Sequence, residues 1–393
     1  MSKLKNISKF NFRSKKVLIR VDLNVPLKKN IISDPTRIKA IVPTLKEISK
    51  KGGMSIIISH FGRPEGRRIE KYSLKKIVRP LSKYLSKKVF FCENCYGAKV
   101  KKILNKIKYG EYLLLENLRF HKEETKNNKN FAKKLSESSD IYINDAFSVS
   151  HRTHASIDQI RKFLPSGIGL NLENEIKNLE KYLLKPKNPT MAIIGGAKIE
   201  SKINVLKNLI NKCNFLVLGG GVANTFLKAK KINIGNSLYQ KKQINNAKII
   251  INKAKKHSCE IILPIDVVLS NKNKMVGVEE IQKNEKIFDI GKKTLQIIFK
   301  KLNKSKTVLW SGPLGLFEKK PYDKSTNELA KLINSKGKKI ISIAGGGDTI
   351  AAIKKNKQFK NFTFLSTGGG AFLKWLENFN LLGIESLKNN KPN

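Results

Sequence analysis

The stretch TMAIIGGAKIESK, residues 190–202, carries the pattern that decides the fold. An unbroken apolar run, Met191 to Ile194, meets a glycine pair and then a segment of helical composition. Apolar runs without alternation suit strands buried on both faces, as in parallel sheets covered by helices. The pattern returns at FLVLGGG (215–221), TVLWSG (307–312), KIISIAGGG (339–347) and FTFLSTGGG (362–370), with EIILPID (260–266) as a further strand. In the first half the strand candidates are VLIRVD (17–22), MSIIISH (54–60), VFF (89–91), YLLLENL (112–118) and IYIND (141–145). Amphipathic segments such as RIKAIVPTLKEISKK (37–51) and SLKKIVRPLSKYLSKK (73–88) lie between them. This alternation predicts an α/β protein with two Rossmann-like lobes, each a parallel sheet flanked by helices.

Two such sheets in 393 residues need a seam. LNLENEIKNLEKYLLKPKNP (170–189) has apolar residues at helical spacing and ends at Pro186 and Pro189, so it reads as a hinge helix joining the lobes. The expected division is 1–169, a connecting helix over 170–187, a second domain over 188–377 and a tail over 378–393. Lys plus Arg is 79 against 30 for Asp plus Glu, a formal charge of +49. Lysine is spread along the whole chain, often beside asparagine, with no basic block, RNA-binding signature or zinc finger. The charge therefore reads as a solvated surface composition, and no specific nucleic-acid partner is expected. A positive field would still draw in anionic substrates. Four cysteines in a chain of this length indicate a reducing compartment rather than a disulfide framework. No apolar run reaches the length of a membrane span, and VLIRVD begins too early to leave room for a leader, so a cytoplasmic, membrane-free protein is expected.

The two halves differ at the carboxyl ends of their strands, where open α/β sheets bind ligands. The second half carries glycine there: GGAK (195–198), GGGVA (219–223), SGPLG (311–315), AGGGDT (344–349) and STGGGA (366–371). Glycine admits a close backbone approach, and a following helix start offers unpaired N–H groups to phosphate. Neither a Walker A loop nor GxGxxG is present, so five loops of another kind point to a nucleotide cradle. The first half carries cations and polar groups: RVDLN (20–24), SHFGR (59–63), ENLRFH (116–121) and SHRTH (150–154), with Arg37 opening a helix. Converging arginine forks suit a small polyanion. A nucleotide half and a polyanion half together suit the movement of a phosphoryl group.

At these residues the chain resembles phosphoglycerate kinase. RVDLNVP, SHFGRP, ENLRFH, DAFSVSHRTHAS, GGAKIESK, GGGVANTF, PLGLFE, AGGGDT and STGGGA occur in the family's order from residue 20 to residue 373. The resemblance implies reversible transfer of a phosphoryl group from 1,3-bisphosphoglycerate to ADP with Mg²⁺, giving 3-phosphoglycerate and ATP, by direct in-line transfer after domain closure. It assigns Asp22, Asn24, Arg37, His60, Arg63, Arg119 and Arg152 to the phosphoglycerate site, with Phe61 and Gly62 inside the same motif. It assigns Lys198 and Lys202 to the nucleotide phosphates and the transferring group. Adenine is implied near Gly219 and Gly220, and the ribose beside Glu318. Gly346, Gly347, Asp348 and Thr349 would hold the phosphates, with Asp348 reaching the metal. Gly368, Gly369 and Gly370 would offer amides to the moving phosphoryl, so that Arg37, Lys198 and Gly369 carry the chemistry. The family is commonly monomeric, and LLGIESLKNN (381–390) resembles a tail that returns to the N-terminal domain.

Three positions depart from the family pattern. Ser311 stands where Asn is usual, Phe61 replaces Leu, and Lys374 replaces an acidic residue. None removes a group assigned to the chemistry. Cys92 and Cys95 have redox or zinc spacing but no second pair, and His151 with His154 are expected to be structural or substrate-shell. Trp310 and Trp375 lie in apolar runs and are expected in the core. A second class of function stays open at this point: a cationic protein holding RNA or another polyanion on an inherited α/β fold.

Overall fold

The structure, a computed structural model, describes residues 4–29, 31–270 and 274–388. The chain divides into two compact units, Met1–Lys177 with Asn380–Asn393, and Asn178–Phe379. The division falls inside the segment read as the hinge: a helix over Leu170–Leu179 continues as a π-helical turn over Glu180–Leu184.

In the first unit, β1 (Lys16–Arg20), β4 (Met54–Ile58), β5 (Val89–Cys92), β6 (Tyr112–Leu115), β7 (Ile141–Asn144) and β8 (Ser166–Ile168) form one sheet. Their order is β5-β6-β4-β1-β7-β8, and every pairing is parallel. A short antiparallel hairpin, β2 (Leu27–Lys28) with β3 (Ile31–Ile32), lies outside it. The predicted amphipathic helices form over Thr36–Lys50 and Lys75–Leu85. They bury Ile38, Ile41, Leu45 and Ile48, and Ile77, Leu81 and Leu85, against the apolar strands. Residues 380–388 of the expected tail group with this unit, while Asn378 and Phe379 group with the second. The tail's helix Leu382–Lys388 is pinned where the Gly383 amide donates to the Ser150 carbonyl at 2.8 Å. Residues 389–393 of the expected tail lie outside the described residues.

In the second unit, β9 (Thr190–Ile194), β10 (Phe215–Leu218), β11 (Glu260–Ile262), β15 (Thr307–Ser311), β16 (Ile341–Ala344) and β17 (Phe364–Leu365) pair in the order β11-β10-β9-β15-β16-β17, again all parallel. The sequence reading stops short of three further strands, β12 (Asp266–Leu269), β13 (Met275–Gly277) and β14 (Ile287–Ile290), which form a separate antiparallel sheet. Segments of three or four residues carry too little periodicity to stand out. Trp310 is fully buried, with its indole N–H donating to the Gly312 carbonyl at 2.8 Å, and Trp375 is also buried.

The glycine loops after β9, β10 and β15 pack on one another. The Gly195 amide donates to Ser311 and the Gly196 amide to Pro313, both at 2.9 Å, while the Gly220 amide donates to Leu314 at 2.9 Å. A Cβ on Gly195 would stand 1.9 Å from the Pro313 carbonyl oxygen, and one on Gly221 would stand 2.3 Å from that of Ala197. These two glycines admit neighbouring backbone at close range. Gly195→Ala is therefore expected to destabilise the fold by about 1–3 kcal/mol, the range for forcing atoms into a filled interior. Urea unfolding measures it, and an unchanged midpoint would refute the interlocked-loop account.

Candidate active site

Four adjacent strands of the first sheet, β6-β4-β1-β7, each release one of the cation-bearing motifs at their carboxyl ends. Asp22 organises the segment after β1. One of its oxygens receives the Asn24 amide at 2.9 Å; the other receives the Ser148 hydroxyl and lies 3.2 Å from Arg37 Nη1. The same guanidinium donates to the Asn24 carbonyl at 2.6 Å. Asn24 Oδ1 receives the Gly62 amide at 2.9 Å, and the Gly62 carbonyl receives Arg119 Nη1 at 2.7 Å. Arg119 is buried, and among the described residues its Nη2 has no hydrogen-bond partner. Arg63 is exposed and Arg152 half-buried; the positive charge of Arg63 and then of Arg20 adds to burial in depressing the Arg152 pKa. Burial first, then Arg152 and Arg20, pushes Arg119 down to about 10. Asp22, Asn24, Arg37, His60, Arg63, Arg119 and Arg152 thus come from separate motifs to one end of one sheet. Phe61 differs: its side chain is buried in the core, and the Asn117 amide group takes both its N–H and its carbonyl. Phe61 shapes the loop, and Gly62 spends its backbone groups on Asn24 and Arg119.

The sequence reading misses the group beneath this surface. Arg20 is fully buried. Its Nε donates to Ser156 Oγ at 3.0 Å, and Ser156 donates its hydroxyl to Glu124 at 2.7 Å and its amide at 3.0 Å. Glu124 is also fully buried, 3.6 Å from His154 Nδ1. Arg20 Nη2 lies 3.2 Å from His60 Nδ1. A guanidinium can only donate, so Nδ1 accepts and the His60 proton sits on Nε2. Burial, then the charges of Arg20, Arg119, Arg37 and Arg152, hold the His60 pKa well below its ordinary value. Folded His60 therefore stays neutral where the unfolded chain takes up a proton, and stability falls as pH drops below about 6.5. His60→Gln is expected to remove up to about 1.4 kcal/mol per pH unit of that slope. Denaturation curves between pH 7.5 and 5.5 measure the difference, and identical slopes would refute it.

Five adjacent strands of the second sheet, β10-β9-β15-β16-β17, release the five glycine loops. Beside them is a cavity of about 450 Å³ lined by Gly196, Gly220, Gly221, Asn224, Asn236, Lys286, Phe288, Leu314, Leu316, Glu318 and Asp348 among others. Gly220, Glu318 and Asp348 are candidates from the sequence that line it. Gly219 lies underneath, where a Cβ would meet Leu314 at 2.8 Å. Lys198 is exposed, and its carbonyl accepts from Lys202 Nζ at 3.4 Å. Lys202 is buried, which depresses its pKa against an opposing pull from Asp348. Thr349 is buried and accepts the Gly312 amide at 2.6 Å, so its hydroxyl braces the SGPLG loop. Gly346, with φ of 100°, caps the helix Gly347–Lys355, and no atom lies within 4 Å of a Cβ built on Gly347. Asp348 is the exposed second residue of that helix. Gly369 caps the helix Gly370–Asn378, while the Gly368 amide is taken by Ser366 Oγ at 3.1 Å.

Ser311 is buried at the end of β15 and does not line the cavity. Lys374 pairs with Glu377 of its own helix at 2.6 Å. Cys95 donates to the Glu116 carbonyl at 3.1 Å, and no cluster of three His, Cys, Asp or Glu side chains able to hold a metal occurs among the described residues. The missed wall of the cavity comes from Phe288 within β14 and Lys286 just before it, and no motif announces either.

A sequence profile described as Phosphoglycerate kinase matches residues 7–378. A phosphoglycerate kinase of Brucella abortus biovar 1 is 43% identical over 386 residues, covering 96% of this chain and 98% of that protein. One of Rhizobium meliloti is 41% identical, covering 95% and 96%. The solved phosphoglycerate kinase of Coxiella burnetii superposes with a TM-score of 0.86 at 34% identity, covering 99% of this chain and all of that one. That of Pyrococcus horikoshii OT3 gives 0.84 at 30%, covering 98% of each. Both the arginine end of one sheet and the glycine end of the other fall within the matched span, and the chain belongs to the phosphoglycerate kinase family.

Proposed function

We propose that the arginine cluster of the first unit holds 3-phosphoglycerate or 1,3-bisphosphoglycerate, and that the cavity of the second holds ADP or ATP. The chain is a phosphotransferase of glycolysis, exchanging a phosphoryl group between those two pairs. The observation that carries the site reading is the buried Arg119 Nη2, unpartnered among the described residues and surrounded by further guanidinium charge. A buried donor of this kind is costly unless an anion supplies its acceptor.

Direct transfer needs in-line ligands, excluded water and neutralised charge more than it needs covalent help. Arg37, steered by Asp22 and the Asn24 carbonyl, is positioned to neutralise a phosphoryl oxygen. Lys198, exposed beside the glycine loops, is the cation free to follow the moving group. The Gly347 and Gly369 segments open helices and turn backbone amides toward anionic oxygens. His60 has Nδ1 engaged by Arg20 and its proton on Nε2, so neither ring nitrogen is a free nucleophile. It acts as a hydrogen-bond donor to substrate rather than as a phosphorylated intermediate. In-line transfer then requires the attacking oxygen, the moving phosphorus and the leaving oxygen to lie in one line with water excluded.

Asp348 is one exposed carboxylate on the cavity wall, and it fits Mg²⁺, which is held through one or two carboxylates plus nucleotide phosphates. When bound, Mg²⁺ would screen the phosphate charge. All four cysteines are free and buried, which supports a reducing, cytoplasmic setting.

A coupled assay with ATP, Mg²⁺ and 3-phosphoglycerate tests the reading, and absence of turnover would end it. In that assay Lys198→Ala is expected to lower kcat about 100-fold, near 3 kcal/mol of transition-state stabilisation, with little change in KM. Near-normal kcat with raised nucleotide KM would show that Lys198 only binds. Asp348→Ala is expected to raise the Mg²⁺ concentration needed for half-maximal activity while leaving the urea midpoint near that of the native chain. The opposite pair of results would make Asp348 a helix-terminus residue alone.

A further inference from the structure

We propose that Cys213 and Cys259 form a modification site, a dithiol that hydrogen peroxide converts to an intramolecular disulfide joining the feet of β10 and β11. The two sulfurs lie 3.6 Å apart, and both thiols are free. Neither has a part in the phosphoryl-transfer machinery. Cys213 precedes β10 and Cys259 precedes β11, two strands paired in parallel with Phe215 opposite Glu260.

The backbone on both sides is already fixed. Asn214 accepts the Glu260 amide at 2.9 Å and donates its own amide to Thr190 at 2.9 Å. The Cys213 amide donates to Leu209 and the Cys259 amide to Ala254, each at 2.9 Å. A disulfide needs its sulfurs at about 2.05 Å, so rotation of two side chains supplies the remaining approach. Residues 5–6% exposed admit a small oxidant and exclude a bulky one.

The chemistry balances with peroxide as the two-electron oxidant. The Cys259 thiolate attacks one peroxide oxygen, the O–O bond breaks, and hydroxide leaves behind a sulfenic acid. The Cys213 sulfur then attacks the Cys259 sulfur, the S–O bond breaks, and the departing oxygen takes the Cys213 proton as water. One peroxide becomes two waters and two thiols become one disulfide. The hydrogen bond from Cys213 lowers the Cys259 pKa and favours it as the attacking sulfur, while Cys213 is held well above its ordinary value. The other close-spaced pair is differently placed. Cys95 donates to the Glu116 carbonyl, and burial with the Glu116 charge keeps it protonated.

The bond would tie the amino ends of β10 and β11, away from their carboxyl ends, where Gly220 and Pro264 line the cavity. The expected consequence is a stiffer second unit with catalysis retained. The test treats the full chain with hydrogen peroxide, then counts thiols and maps peptides by mass spectrometry. The expected product has two free thiols in place of four, a mass lower by two hydrogens, and one cross-linked peptide joining Cys213 to Cys259. Closing a loop spanning 46 residues should raise the melting temperature by about 5 °C or more, reversed by dithiothreitol. In Cys213→Ser the sulfenic acid has no resolving thiol, so the Cys259 peptide should gain the mass of one or more oxygens. Four surviving thiols, a bridge mapped to Cys92 and Cys95, or an unoxidised Cys259 in that variant would each overturn the proposal.

Discussion

Parallel pairing sends every strand of a sheet in the same direction, so the loops that follow all six strands gather on one edge. Both functional ends of this protein depend on that constraint. On the first sheet it collects Asp22, His60, Arg119 and Arg152 from segments far apart in the chain. On the second it stacks the loops after β9, β10 and β15 so closely that a methyl group at Gly195 or Gly221 has no room. An antiparallel arrangement of the same strands would deal alternate motifs to opposite edges and build neither site.

The arginine end also depends on charge held below its surface. Burying the guanidinium of Arg20 is costly, and the buried carboxylate of Glu124 compensates it through Ser156. That pairing leaves one direction of the Arg20 fork for His60, which settles the imidazole tautomer without a carboxylate beside the ring. The remaining arginines repel one another and are partly desolvated. On the proposed reading, a multiply charged anion would relieve both costs at once.

The excess of cations elsewhere has a different character. Many lysines lie on exposed helix faces, where pairs such as Lys51–Glu47 and Lys374–Glu377 use the few acids available. Exposed pairs contribute little to stability and are screened by salt. Their collective effect is a positive field of the sign that draws anionic substrates toward the chain. Contacts such as Arg37 with Asp22 and Arg119 with the Gly62 carbonyl are partly buried, and screening affects them less.

Much was legible in the sequence because it is local. Continuous apolar runs between amphipathic segments determine parallel strands and helices, and the residues after those runs announce one anion-binding half and one glycine-lined half. The order of motifs then determines the family. Tertiary structure decided what depends on pairing at long range. Arg20 meets His60 across 40 residues and Ser156 across 136, and no spacing rule joins them. The antiparallel strands that bring Lys286 and Phe288 to the cavity are too short to show a period. Phe61 and Thr349 sit inside recognisable motifs, yet one fills the core and the other braces a neighbouring loop, because adjacent residues on a turn face different surroundings. Sequence determines which chemical groups are available and where the longer elements lie. Only the packed sheet decides which groups meet, because hydrogen bonding and burial are set by neighbours in space.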